Sequence, residues 1–159
     1  MGKPNPVGLA LVLLGAAAMA GSAFLPLVES GRFARVSDNT LIQHNSWWPI
    51  VVAIGIAASG YRVSLGKRSE AALPILACLG AGGYFILIAT DKASRTLYPL
   101  GADGGPDSSQ PGVVSSLGIA IYVGIVGAAV ALIGVVMMLR TQDAVVTDVS
   151  TTVQAPTKK

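Results

Sequence analysis

"SWWPIVVAIGIAASGYRVSLGKR", residues 46–68, opens with two tryptophans and a proline and closes with three cations, Arg62, Lys67 and Arg68. Between Trp48 and Arg62 there is no charged residue. A helix over 46–65 is about 30 Å long at 1.5 Å per residue, close to the thickness of a bilayer's hydrocarbon layer. Tryptophan suits the headgroup level, where one part of the indole is wet and the rest apolar. A long cationic side chain at the other end can reach back to water. Pro49 falls in the first turn, where its missing N–H costs nothing, and Ser46 or Asn45 is placed to cap it. The stretch therefore reads as one membrane span, with Trp47 and Trp48 at one interface and Arg62, Lys67 and Arg68 at the other.

Composition extends that reading to the whole chain. Of 159 residues, 52% are hydrophobic and only 12% charged, and the mean hydropathy is +0.64. A soluble domain carries about 25% charge. The net charge is +3, but the cations sit beside apolar runs and form no stripe with interleaved aromatics, which argues against nucleic acid. The single cysteine, Cys78, lies in an apolar run and reads as a small buried hydrophobe.

Four runs have spanning length: about 6–27, 46–65, 71–90 and 112–139. The first has a rival reading as a signal peptide, with Lys3 before an apolar core and "AMA" at 18–20. Its length favours a retained helix, which Pro26 ends or kinks. Pro74 sits in the first turn of the third run, and Arg140 closes the fourth. With the N-terminus cytoplasmic, the inner segments hold Lys3, Arg62, Lys67, Arg68, Arg140, Lys158 and Lys159, against Arg32, Arg35, Lys92 and Arg95 outside. The positive-inside rule then sets both termini in the cytoplasm. The expected fold is an all-α integral membrane protein, a four-transmembrane-helix bundle (N-in/C-in) with two outer loops. Residues 1–140 form the membrane domain and 141–159 a flexible cytoplasmic tail.

Chemistry-bearing patterns are scarce. No charged residue lies in the middle of a run, which argues against a proton relay or an ion-coupled carrier. His44, the only histidine, falls in a loop without a partner at metal-ligand spacing. "SG" at 59–60 resembles the serine motif of intramembrane rhomboid proteases only in part: Ala57 replaces its first glycine, and no span offers a histidine base. No phosphate-binding glycine loop is present. The expectation is no catalytic residue, no metal, no cofactor and no identifiable small-molecule substrate. His44, Asp91 and Arg95 are the polar loop residues best placed for an overlooked active site. Small residues do recur at helical spacing: Gly55 and Ser59; Ala77 and Ala81; Cys78 and Gly82; Ala120, Gly124 and Ala128; with Gly127 and Ala131 on a neighbouring stripe, and Ala16/Ala20 and Ala17/Gly21 in the first run. Such stripes let helix backbones approach closely, within the bundle or against another protein.

"GVVSSLGIAIYVGIVGAAVALIGVVMMLR" at 112–140 resembles the last span of small four-span membrane proteins of mycobacteria and related actinobacteria. "FLPL" at 24–27 is similar to the "FLPW" that ends their first span, with Leu27 in place of tryptophan. The likeness covers the order of the four spans and lies in composition. It implies a membrane protein of a group mostly without assigned activity. Three functions are open. One is a non-enzymatic accessory subunit or scaffold, meeting another membrane protein or a second copy within the lipid bilayer. A second, implied by mycobacteriophage-type four-span proteins, is a membrane exclusion factor with a cytoplasmic partner. The third is a small channel or carrier, against which the lack of buried polar groups counts.

Overall fold

Helix α1 (Pro6–Ser22) starts on a side-chain cap. Asn5 Oδ1 accepts the N–H groups of Val7 and Gly8 at 3.1 Å each, and Pro6 needs no partner. The helix ends at Ser22, short of the expected 27. Pro26 has no N–H to give the Ser22 carbonyl, and its ring would collide with it. The N–H of Leu25 closes a tighter turn on that carbonyl instead, at 3.2 Å. This computed structural model describes residues 5–29, 40–41, 46–92, 96–99, 101 and 107–153, with backbone alone at 28–29, 97 and 142–153. Among the expectations above, those on Lys3, Arg32, Arg35, His44, Asn45, Arg95, Lys158 and Lys159 lie outside the described residues.

Among the described residues the chain is mostly helical, with four α-helices. Helix α2 (Trp48–Ser64) has Pro49 in its first turn as expected, but no side-chain cap among the described residues. Ser46 instead donates its N–H to the Leu41 carbonyl at 2.9 Å, and the Trp47 carbonyl accepts from Ile50 and Val51. The far end closes on Gly66, whose φ of 90° a residue with a side chain rarely adopts. The N–H of Lys67 reaches the Arg62 carbonyl and that of Gly66 the Val63 carbonyl, which satisfies two of the helix's terminal acceptors. A 3₁₀ turn at Arg68–Glu70 leads into α3 (Ala72–Thr90).

Helix α4 (Ile119–Val153) differs from expectation at both ends. It starts seven residues later than 112, because 113–117 is extended. Strand β1 (Val28–Glu29) pairs antiparallel with β4 (Ser116–Leu117), and β2 (Thr96–Leu97) with β3 (Val113–Val114). Pro26 bridges Thr40 nearby. The β-branched valines favour this geometry. Gly118 permits it, because a Cβ there would fall 2.7 Å from the Pro26 carbonyl carbon. The Pro26 and Leu27 carbonyls accept the N–H groups of Ala120 and Gly118 at 3.0 and 2.9 Å, so the segment after α1 satisfies donors at the start of α4. At its far end α4 runs past Arg140 to Val153. A cation can end an apolar run without ending a helix, and no glycine or proline follows until Pro156.

The four helices pack as a ring, in which each meets the next in sequence and α1 closes on α4. The α1–α4 seam is the most extensive. It is antiparallel, with Gly8 facing Gly134 and Gly15 facing Gly127. A Cβ at Gly127 would fall 2.8 Å from the Gly15 carbonyl oxygen and 2.9 Å from the Met19 nitrogen. One at Gly134 would fall 2.6 Å from the Gly8 carbonyl oxygen. The glycines lie seven apart on each helix, so the same face returns every two turns. Val12 and Met19 fill the space between them and are fully buried. On its other side, Val12 meets Gly60 of α2, where a Cβ would lie 2.6 Å from its Cγ1.

Replacing Gly127 with Ala is expected to lower thermal stability in detergent by about 1–3 kcal/mol, because backbone atoms must move. Gly55→Ala, with open space around its Cβ position, is expected to be neutral or to stabilise by up to about 1 kcal/mol. Equal effects of the two changes would show that the seam is not closely packed.

Candidate functional site

The proposed contact residues divide into two groups. Ala120, Gly124 and Ala128 are all buried on α4, and Gly124 and Ala128 face α3. Gly124 lies under the ring of Phe85, which is fully buried: a Cβ at Gly124 would fall 2.5 Å from its Cε2. Ala128 sits 3.7 Å from the Cβ position of Gly82. Cys78 and Ala81 are buried on the same face of α3, and Ala77 is half-buried beside them. Phe85 was not singled out from sequence. It lies four residues after Ala81 and seven after Cys78, a spacing that puts all three on one face.

Gly55 behaves differently. It is exposed, and nothing lies within 4 Å of its Cβ position. The close contact of α2 is at Gly60 instead. Ser59 is buried, but its hydroxyl donates to the Gly55 carbonyl of its own helix at 2.6 Å. On α1 the expected Ala17/Gly21 stripe is exposed, and the face carrying Gly8 and Gly15 meets α4. The open positions Gly55, Gly80 and Gly83 leave small-residue faces of α2 and α3 unused by the bundle.

The residues expected as interface anchors segregate to opposite ends. Trp47, Trp48, Tyr84, Tyr98 and Tyr122 lie at the end where α1 leads into the β1–β4 pairing. Trp47 is 53% exposed. Trp48 packs edge-on to Tyr84, ring centroids 4.4 Å apart, and against Phe85 at 5.2 Å. Its indole N–H is buried with no acceptor among the described residues. Arg62, Lys67, Arg68 and Arg140 are exposed at the other end. There Arg62 Nε lies 2.8 Å from Glu70 Oε2 and Lys67 Nζ 4.0 Å from Oε1. Asn5 Nδ2 donates to Thr141 Oγ1 at 2.7 Å and ties the start of α1 to α4 beside Arg140. The α2–α3 hairpin is thus held by an aromatic contact and an ion pair, whose residues are fourteen positions apart along each arm.

The serine and threonine hydroxyls described in the α-helices donate to their own backbones. Ser22 donates to the Met19 carbonyl at 2.6 Å, Ser64 to that of Tyr61 at 2.6 Å, and Thr90 to those of Ile86 and Leu87. Asp107, in the second long connection, accepts from the Ser109 hydroxyl at 2.5 Å, the Ser109 N–H at 3.0 Å and Gln110 Nε2 at 3.0 Å. The Ser109 bonds hold its carboxyl below the usual range, as donors to the charged form do. All three bonds are local to the turn. Among the described residues no three His, Cys, Asp or Glu side chains gather as a metal group.

Trp48→Phe is expected to change stability by less than about 1 kcal/mol, since removal of an unpaired buried donor offsets the lost area. Trp48→Ala is expected to cost about 2 kcal/mol or more, because the ring contacts go with it. Gly124→Leu should displace Phe85 and lower the melting temperature in detergent; a melting temperature matching the parent's would mean that this seam is open.

No protein-family model matches the chain, and neither a curated protein nor a solved structure matches it.

Proposed function

We propose that this chain is a four-span plasma-membrane protein with both termini in the cytoplasm, acting through contact and without a catalytic residue of its own. Two helical stretches, Arg68–Thr90 and Ile119–Thr141, are long and apolar enough to cross a membrane. Helices α1 and α2 have 17 residues each, at the short limit for a span. The observation that carries the reading is the shared surface of all four helices. Leu13 and Leu14 on α1, Val51 and Ile54 on α2, Leu76 and Leu87 on α3, and Val126 and Ile133 on α4 are exposed. A soluble monomer rarely exposes contiguous apolar area of this extent. Aromatics rim one end of that surface and cations the other, as at the two faces of a bilayer. The burial of Met19 and the Gly15–Gly127 approach support a retained first helix, since without α1 the glycine face of α4 has no partner.

Orientation is tested by Ser109→Cys and Ser150→Cys, each with Cys78→Ala. An impermeant thiol reagent on intact cells is expected to label position 109 and not 150; the reverse pattern inverts the topology.

Action by contact is supported by the helix hydroxyls, which bond to their own backbones, and by the unused small-residue faces at Gly55 and Gly80. The occupant of those faces is another membrane protein or a second copy. Gly55→Leu and Gly80→Leu are expected to preserve thermal stability and to abolish recovery of the partner in mild detergent. His44→Ala, Asp91→Ala and Arg95→Ala are expected to leave recovery and the deletion phenotype intact. Loss of the phenotype by one of these three, with recovery unchanged, would indicate chemistry in the loops.

A second reading, an exclusion factor with a soluble cytoplasmic partner, draws on the length of α4. Its 35 residues span about 52 Å, well beyond a hydrocarbon layer of about 30 Å, so the helix extends into the aqueous phase beyond Arg140.

A further inference from the structure

The α2–α3 turn carries more positive charge than it neutralises. Arg62, Lys67 and Arg68 fall within seven residues and all three are exposed. Glu70 is the one acid of the turn. Its Oε2 lies 2.8 Å from Arg62 Nε, and its Oε1 lies 4.0 Å from Lys67 Nζ, at the outer limit of an ion pair. With Arg62 held by Glu70, the surplus charge falls to Lys67 and Arg68. The positive φ of Gly66 reverses the chain there, and the bond from the Lys67 N–H to the Arg62 carbonyl keeps Lys67 beside the end of α2.

The turn is also apolar up to its charges. Leu65 is 61% exposed just before Gly66, and Leu73 is 63% exposed in the first turn of α3. The cations lie between these two leucines in sequence, with no polar spacer beyond Gly66 on one side and Ser69 to Ala72 on the other. A soluble anion has no use for the leucines. A molecule with a phosphate at one end and hydrocarbon at the other meets both. Arg140 gives the contrast: it is a lone cation closing the exposed stripe of Ile133, Val136 and Met137, with Asp143 three positions on. Gly55 and Gly80, the open positions on α2 and α3, lie seven residues from Arg62 and Leu73, about 10 Å deeper along the helices. A protein partner on those faces and a headgroup at the turn therefore occupy different levels.

We propose that the α2–α3 turn binds an acidic phospholipid, with Lys67 and Arg68 on its phosphate headgroup and Leu65 and Leu73 beside the start of its acyl chains. The inference rests on the reading of α2 and α3 as spans. It does not depend on which side of the membrane the turn faces.

The experiment reconstitutes the full chain in vesicles of phosphatidylcholine and phosphatidylglycerol, with one or the other lipid brominated. The parent reports on the far end, since Trp47 and Trp48 are its only tryptophans. Trp47→Phe/Trp48→Phe/Tyr61→Trp moves the indole to the turn, at an exposed aromatic position. Quenching at the turn is expected to show about three- to fivefold higher affinity for phosphatidylglycerol, and quenching at the far end about equal affinities. On the turn reporter, Lys67→Gln/Arg68→Gln is expected to bring the ratio near one. Glu70→Gln, which releases Arg62, is expected to raise it, and Arg140→Gln to leave it in place. A ratio near one at the turn, the same ratio at both ends, a fall on Glu70→Gln, or an equal loss on Arg140→Gln overturns the proposal. Glycerol phosphate at about 10 mM, compared with sodium chloride of equal ionic strength, is expected to leave the ratio intact. Its removal by glycerol phosphate alone assigns the site to a free phosphate and overturns the lipid. Absence of quenching at both ends by either lipid removes the spanning reading, whereas a lost preference with quenching retained removes the site alone. If the Tyr61→Trp protein does not fold, Leu65→Trp in the same background carries the comparison.

Discussion

At Gly15 and Gly127 a single added carbon would fall on the backbone of the facing helix. The bundle depends on this approach of α1 to α4. Dispersion between closely fitted surfaces holds the two helices, and it falls off steeply with a gap of even half an ångström. Glycines seven apart on both helices keep the fit over two turns, with Val12 and Met19 set into the spaces. Once α1 lies on α4, Val12 is fixed as the wall that meets Gly60, and α2 is placed from α1.

The second half of the ring is built by shape. Phe85 projects from α3 over Gly124. Trp48 then lies on Phe85 and Tyr84, so the side chain that holds α3 to α4 also supports the start of α2. At the opposite end the hairpin closes through Gly66 and the Arg62–Glu70 pair. The exposed ion pair contributes little to stability. Its consequence is positional, since it keeps a charge at the level of the turn.

The connections are tied to the helices they join. The carbonyls of Pro26 and Leu27 accept N–H groups at the start of α4, while short strand pairings link 28–29 to 116–117 and 96–97 to 113–114. These bonds meet the requirement that helix termini find partners. The packing also decides which surfaces remain for anything else. The small residues of α4 are spent within the ring, while Gly55 and Gly80 stay open.

The sequence by itself determined the number and rough position of the helices, the place of Pro49, and the separation of aromatics from cations. Those features follow from apolar run length and the charges that bound it, which act locally. It also carried the stripe of Ala120, Gly124 and Ala128 and the face of Cys78 and Ala81, because spacing shows which residues share a face. Spacing does not show which face meets which helix. In helices apolar all round, no polar side marks the outside, so Gly55 and Gly60 looked alike although one is open and the other lies against Val12. Gly8, Gly15 and Gly134 were legible only as glycines until α1 and α4 were brought together. The start of α4 at Ile119 was hidden for a related reason. Two-residue strands have no periodicity to read, and their partners lie up to 89 positions away in sequence, from Val28 to Leu117. Tertiary structure decided these points, because each depends on atoms of a distant segment occupying the space beside a small residue.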